Sequence, residues 1–243
     1  MKNRGTGIIA LLFVIAICLP GVAGATTYDL KTDWSDASNP NGAWSFYQGN
    51  VPLSHIANWA GLSGQNAWAR AASGLGHVPA WLKATNNVSF APFSTGDIIF
   101  HPTSSDHVTS SYDEGEGYAK WTSPIDGVIT ISGNVWTGQN GFGSSRSVDW
   151  GVYLNAAQLD HGTVDYSGNN NGRNFNIGTS YNVHVGDTII FKGQTTSGYA
   201  YPWFVGVNLT IDATPTQSVP EPATMLLLGV GLMGLAGIRK KLS

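Results

Sequence analysis

The second half of the chain alternates between apolar and polar positions with period two. Between Val128 and Val135, Ile129, Ile131 and Val135 form one apolar face, and Thr130, Ser132 and Asn134 fall on the other. Between Ser147 and Leu154, Val148, Trp150, Val152 and Leu154 point one way, and Ser147, Asp149 and Tyr153 the other. Between Pro202 and Asp212, Trp203, Val205, Val207, Leu209 and Ile211 alternate with Asn208 and Thr210. Successive side chains of a strand turn to opposite faces, so these runs predict half-buried antiparallel strands. Shorter runs predict further strands at 88–92, 97–101, 117–122, 181–185 and 188–193. Helical spacing is confined to 56–84, through Ile56, Trp59, Ala60, Trp68, Ala71 and Ala72. Gly61, Gly64, Gly74 and Gly76 interrupt it, so one or two short helical turns at most are expected there. With turns such as Pro124-Ile125-Asp126-Gly127 and Asn169-Asn170-Asn171-Gly172 between the strands, the pattern predicts an all-β, antiparallel two-sheet sandwich of jelly-roll type. The opening section, 26–85, is expected to pack against that sandwich rather than to form a second domain.

The two ends depart from this pattern. Lys2 and Arg4 precede an apolar run from Gly7 to Leu19, Pro20 ends it, and Ala23-Gly24-Ala25 places small residues at both pocket positions of a signal peptidase site. Residues 1–25 therefore form a signal peptide, taken by the secretion translocon and cut after Ala25. The single cysteine, Cys18, lies inside it, and Ile17 before it is not the small residue that lipidation requires. A mature chain so produced has no thiol and no disulfide, and it depends on its core for stability.

At the other end, Pro220-Glu221-Pro222 blocks any helix from extending backwards. The run from Ala223 to Ile238 would rise about 24 Å as a helix, somewhat less than a usual membrane span, and Arg239, Lys240 and Lys241 follow it. Snorkelling basic residues or a thinner bilayer make up the difference. The basic cluster should stay cytoplasmic, which places everything before Pro220 outside. The expected organisation is a signal peptide at 1–25, a β-sandwich ectodomain at 26–211, a polar tether at 212–219 and a terminal segment at 220–243 with its transmembrane helix at 223–238.

The order Val-Pro-Glu-Pro, apolar segment, basic end resembles the PEP-CTERM sorting signal of Gram-negative bacteria. That resemblance implies recognition by an exosortase, a membrane protease expected to cut at or near Pro220, Glu221 and Pro222, with Arg239, Lys240 and Lys241 as the retention element. It also implies a transient inner-membrane intermediate, then a place at the cell surface or in the extracellular matrix, and an association with exopolysaccharide and biofilm. The alternative is a plain membrane anchor that is never cut. The body resembles a domain often found upstream of this tail, through Asn39 to Phe46, His101-Pro102, Lys120 to Gly127 and Gly186 to Phe191. These pieces are mostly turn and strand punctuation, and they imply a sandwich without naming a ligand.

Charge narrows the partners. Five of the 12 Lys and Arg residues and one of the 15 Asp and Glu residues lie in the two ends, leaving seven basic and fourteen acidic residues in 26–219, a net charge of −7. An acidic body repels nucleic acid, so nucleic acid is excluded as a partner. No GxSxG, HExxH or phosphate-binding loop occurs, and the six histidines (55, 77, 101, 107, 161 and 184) stand singly. His101, Asp106 and His107 share a loop, where solvated side chains are commoner than a metal site. Thr95-Gly96-Asp97-Ile98 and Val185-Gly186-Asp187-Thr188 echo each other. Turn chemistry explains both, since Gly supplies a positive φ and Asp bonds its own backbone, although a structural calcium on Asp97 or Asp187 is the competing reading. A glycosidase needs two carboxylates, and the body holds only two glutamates, Glu114 and Glu116, with no aspartate singled out to pair with them. No catalytic residue and no cofactor are expected.

All nine tryptophans lie in the exported body. Most belong to a core in a sandwich of this kind, Trp150 among them. Sugars, however, present C–H faces that stack on flat rings and hydroxyls that need amides. The candidate glycan contacts are Trp136 with Asn134, on the face opposite Ile129 and Ile131, and the loop cluster Tyr199, Tyr201 and Trp203. Three readings follow: a non-catalytic surface or matrix protein that associates with extracellular polysaccharide, a structural surface protein without specific ligand, and a secreted carbohydrate-active enzyme.

Overall fold

The computed structural model describes residues 24–85, 93–103, 116–137, 146–165, 173–196 and 204–216. Fourteen strands run through them: β1 (Thr26–Asp29), β2 (Trp44–Gln48), β3 (Val51–Pro52), β4 (Ser54–Ile56), β5 (Ala67–Ala69), β6 (Ala80–Lys83), β7 (Ile98–His101), β8 (Gly117–Thr122), β9 (Gly127–Thr137), β10 (Ser147–Leu154), β11 (Ala157–Asp165), β12 (Arg173–Val183), β13 (Thr188–Thr195) and β14 (Val205–Pro215). They form two sheets in which every named pair is antiparallel. The first has the order β12-β9-β14-β7-β6-β5-β4, with β1 also pairing β14, and the second the order β11-β10-β13-β8-β2-β3. From β7 onward, consecutive strands pass from one sheet to the other except at the hairpin β10–β11. The quartets β12-β9-β14-β7 and β11-β10-β13-β8 have the strand order of a jelly roll.

Alternation places the core. In β9, Ile129, Ile131 and Val135 are buried, and in β14, Val205, Val207, Leu209, Ile211 and Ala213 are fully buried. Six tryptophans, Trp44, Trp59, Trp68, Trp81, Trp121 and Trp150, are at most 3% exposed. Trp81 stacks on Phe100 at 4.4 Å, and Trp150 lies parallel to Phe191 at 6.3 Å. Glycines make room for these rings. Gly133 pairs with Phe175 across β9 and β12, where a Cβ would run into that ring and the Asn208 carbonyl. Gly162 lies beneath Trp150 in the same way, its hypothetical Cβ 3.0 Å from the indole.

The opening section is more deeply involved than the sequence implies. It supplies β1, β4, β5 and β6 to the first sheet and β2 and β3 to the second. Within 56–84 the helical turns are two short 3-10 segments, Trp59–Gly61 and Gly74–His77, and the rest includes β5 and β6. These strands are covered on both faces. Trp68 and Trp81 enter the main core, while Ala67, Ala69, Ala80 and Leu82 join a second cluster with Trp59, Ile99 and Phe204. The tether also starts later than expected. β14 continues through Asp212 to Pro215, which pairs with Gly127, because Ala213 is still packed in the core. The strand expected at 88–92 lies outside the described residues.

The Gly-Asp echo is one turn used twice. Gly96 and Gly186 have φ of +90° and +95°. Asp97 Oδ2 accepts from the Ser94 amide at 2.8 Å, and Asp187 Oδ2 accepts from the His184 amide at 2.8 Å. Asp97 also pairs with Lys31 at 3.0 Å, and Asp187 accepts from Asn155 Nδ2 at 3.1 Å. The backbone bond from His184, then the Asn155 amide, hold the Asp187 carboxyl below its ordinary value of 3.8. Both carboxylates thus lock the turns that launch β7 and β13.

Candidate functional site

Burial of Ile129, Ile131 and Val135 turns Ser132, Asn134 and Trp136 to the outside of the first sheet. Register then builds rows across the strands. Asn134 stands opposite Asn174 on β12 and Asn208 on β14, and Asn208 Nδ2 donates to Asn134 Oδ1 at 2.7 Å. The adjoining row carries Asn176, Ser132 and Thr210, and Thr210 Oγ1 donates to Asp29 Oδ2 at 3.0 Å.

On the other side of the asparagine row, Trp136 stands opposite Gly206. A Cβ on Gly206 would fall among Cε2, Cζ2 and Cδ2 of the indole, so the ring covers the glycine. Phe93 flanks it at 6.3 Å, and the side chain is half-buried. A ring laid over a glycine presents a face to solvent, whereas a ring standing off the sheet presents its edges. The outer surface therefore combines one aromatic face with a row of amides that both donate and accept.

Of the residues singled out from sequence, Trp136 and Asn134 share this face. Tyr199, Tyr201 and Trp203 lie outside the described residues, as do Ala23, Pro220, Glu221, Pro222, Arg239, Lys240 and Lys241. Ala25 is exposed and directly precedes β1. Among the described residues no helix is long and apolar enough to cross a membrane, and the segment 223–238 is not among them. His107, Asp106 and Glu114 also fall outside. His101 Nδ1 bonds the Pro102 carbonyl at 2.8 Å and its ring packs on Phe204 at 4.5 Å. Among the described residues no group of three His, Cys, Asp or Glu side chains could hold a metal. Glu116 is paired with Lys192.

A second surface, which no single sequence pattern marks, lies on the outside of the second sheet. Register aligns His161, Gly151, Lys192, Tyr118, Tyr47 and Pro52 in one row across all six strands. Tyr47 and Tyr118 stack at 5.4 Å and 11°. Tyr153 folds back over Gly151, whose Cβ would lie 2.8 Å from the ring. Lys192 sits 4.8 Å from the Tyr153 ring and Lys120 4.3 Å from the Tyr47 ring. Tyr118 donates to the Gly49 carbonyl at 2.7 Å, and burial, then the neighbouring Tyr47, raise its pKa above the ordinary 10.0. Asp149 Oδ1 accepts from Thr163 at 2.6 Å and from Thr196 at 2.9 Å. Two adjoining hollows share Glu116, Tyr153 and Lys192. The available signal was the polar face of Ser147–Leu154, which names Asp149 and Tyr153, but nothing local sets β10 near β8 and β2.

The family model of the PEP-CTERM protein-sorting motif matches residues 218–241. The chain thus carries a PEP-CTERM sorting motif, a signal of export toward the cell surface. No curated protein matches the chain. Among solved structures, similarity extends to a family 51 carbohydrate-binding module with adjoining domains from Clostridium perfringens, in complex with GlcNAc, at 10% identity and a TM-score of 0.35. It covers 77% of this chain and 31% of that one, so this chain spans under a third of that structure's length. A xylan-binding family 22 module from Paenibacillus barcinonensis has 10% identity and a TM-score of 0.33, with 79% and 95% covered. A family 6 module of a laminarinase from Zobellia galactanivorans has 14% identity and a TM-score of 0.23, with 39% and 71% covered. At these scores the likenesses carry nothing about ligand.

Proposed function

We propose that the chain is an exported, non-catalytic surface or matrix protein. In this reading signal peptidase cuts after Ala25, the tail pauses in the inner membrane, and an exosortase cuts at or near Pro220-Glu221-Pro222. The released sandwich associates with extracellular polysaccharide through Trp136 and the row Asn174, Asn134 and Asn208. The sorting motif at 218–241 supports the route. The Trp136 ring covering Gly206 beside three aligned asparagines supports the ligand class. A pyranose ring stacks its C–H face on the indole, and its equatorial hydroxyls reach amides that serve as donors and acceptors at once. Tyr199, Tyr201 and Trp203 belong to the same proposal, because their segment leads directly into β14, one pair from Gly206.

The test is affinity electrophoresis of the full chain, in mild detergent, through gels containing polysaccharide from the producing cells. Trp136→Ala is expected to lose about tenfold in retardation, the size of one aromatic stacking contact. Equal migration of the variant and the wild type would remove Trp136 from the account. Absence of any retardation in the wild type would favour a structural surface protein with the same export route. Release of reducing sugar that disappears in Glu116→Gln would favour the enzyme.

A further inference from the structure

We infer that the outer face of the second sheet is a separate saccharide site, taking an uncharged, extended glycan chain, so that one molecule engages two chains on opposite faces. The inference shares with the proposed function only the premise that the exported body meets polysaccharide. It rests on different residues.

The row from His161 to Tyr47 runs perpendicular to the strands. The Tyr153 ring sits over Gly151 on β10, and Tyr118 stands in the same row on β8. Two strand spacings separate them, about 10 Å, which is the reach of a disaccharide unit. The stacked Tyr47 extends the track one strand further. A chain lying across the sheet would meet the Tyr153 ring over Gly151 and then the edges and hydroxyls of the stacked Tyr118 and Tyr47.

Charge then selects the chain. The body carries −7, yet here Lys120 and Lys192 are balanced by Glu116 and Asp149. Lys192 is held by Glu116 and the Tyr153 ring, Lys120 rests over Tyr47, and Asp149 is engaged by two threonine hydroxyls. At the centre of the row Lys192 and Glu116 neutralise each other, which favours an uncharged ligand there. They offer hydroxyl-sized hydrogen bonds beside the rings. A protein partner fits less well, because the large hydrophobic side chain that is exposed among the described residues is Val185, in the distant turn before β13. Tyrosine rings flanked by the Lys192–Glu116 pair form a wet surface, not an apolar docking patch.

The two outer faces use the same device. Gly206 lies beneath Trp136 on the first sheet and Gly151 beneath Tyr153 on the second. In both cases the missing side chain lets a ring settle onto the backbone.

The experiment titrates the full-length protein in mild detergent with hydroxyethylcellulose, xylan and galactomannan as uncharged probes and alginate as the anionic one. Four proteins are compared: wild type, Trp136→Ala, the pair Tyr118→Ala with Tyr153→Ala, and both sets combined. Tyr118→Phe with Tyr153→Phe, which keeps the rings, and thermal melting of every variant control for folding. The expected result is an uncharged probe that binds wild type at two sites per chain. The tyrosine-to-alanine pair should lose one site by tenfold or more, the phenylalanine pair should keep it, and the other site should survive. Wild type should also cross-link that probe, with cross-linking lost in either single-face variant. Unchanged stoichiometry in the tyrosine-to-alanine pair overturns the inference, as does alginate binding tighter than every uncharged probe. Loss of all binding in Trp136→Ala overturns it while sparing the proposed function. Loss of all binding in the tyrosine pair spares the inferred site and removes the Trp136 one.

Discussion

Gly206 acts through what it lacks. Its place opposite Trp136 is where a side chain would meet the indole, and the ring takes that space instead. Gly206→Ala should therefore lift Trp136 off the sheet without touching the amides of Asn134 and Asn208. The expected outcome is a change in tryptophan fluorescence and a loss of polysaccharide retardation close to that of Trp136→Ala, with a melting temperature lowered by a few degrees, since overpacking at one methyl costs about 1–3 kcal/mol. Fluorescence and retardation both matching wild type would mean the ring has another resting place. The proposed first-sheet site is legible in the sequence because Trp136 and Asn134 are two apart in an alternating run, and parity alone puts them on one face. The second-sheet surface is not, because Tyr47, Tyr118 and Tyr153 become neighbours only through the register of β2, β8, β13 and β10. Asn39 shows the limit of motif reading in the other direction. Within the Asn-Pro-Asn-Gly stretch it clips the start of the fold, its Nδ2 donating to the carbonyls of Phe46 and Leu53 at 2.8 and 2.9 Å and its Oδ1 accepting the Phe46 amide at 2.8 Å.

Strands with one wet face announce themselves, and strands covered twice do not. β8 and most of β9 alternate because one side meets the core and the other the solvent, and β14 does so from Val207 to Ala213. β5 and β6 are sandwiched between the main core and the cluster around Trp59, so their positions are buried almost without break and period two is erased. Alanine and tryptophan in such a stretch imitate a glycine-broken helix. The same packing explains the glycine load of the long strands. Phe175 needs the vacancy at Gly133 and Trp150 the one at Gly162. Of these, Gly133 is the tighter, because a methyl there meets the Asn208 carbonyl on β14 as well as the Phe175 ring, and neither backbone nor buried ring can swing away. Gly133→Ala should cost about 3 kcal/mol, at the upper end of overpacking penalties, measured by urea denaturation with an unchanged slope. A cost under about 0.5 kcal/mol, the range of a neutral surface change, would show that β9 and β14 separate more easily than their long ladder implies.

At the scale of the whole body, the first strand and the last are neighbours. Thr26 at the start of β1 stands opposite Ala213 near the end of β14, and Pro215 pairs with Gly127, so residues 26 and 213 lie side by side. Both hydrophobic cores are built from residues between Leu30 and Ala213, and Gly24–Thr216 forms a compact unit of its own. Among the described residues, both cores lie wholly inside that unit. This explains why the tail is readable as a linear signal: a motif addressed to another protein acts through its order of residues and not through packing. It follows that blocking the tail should change the address and leave the body as it is. With Pro220, Glu221 and Pro222 all replaced by alanine, the full-length chain is expected to stay in the inner membrane with Ser243 intact by mass spectrometry. Limited proteolysis of that retained form should release the same resistant core as the processed wild type. Normal maturation of the variant would reduce the tail to an anchor. A retained variant whose body is digested would instead mean that the sandwich depends on its own release, contrary to cores that close before residue 216.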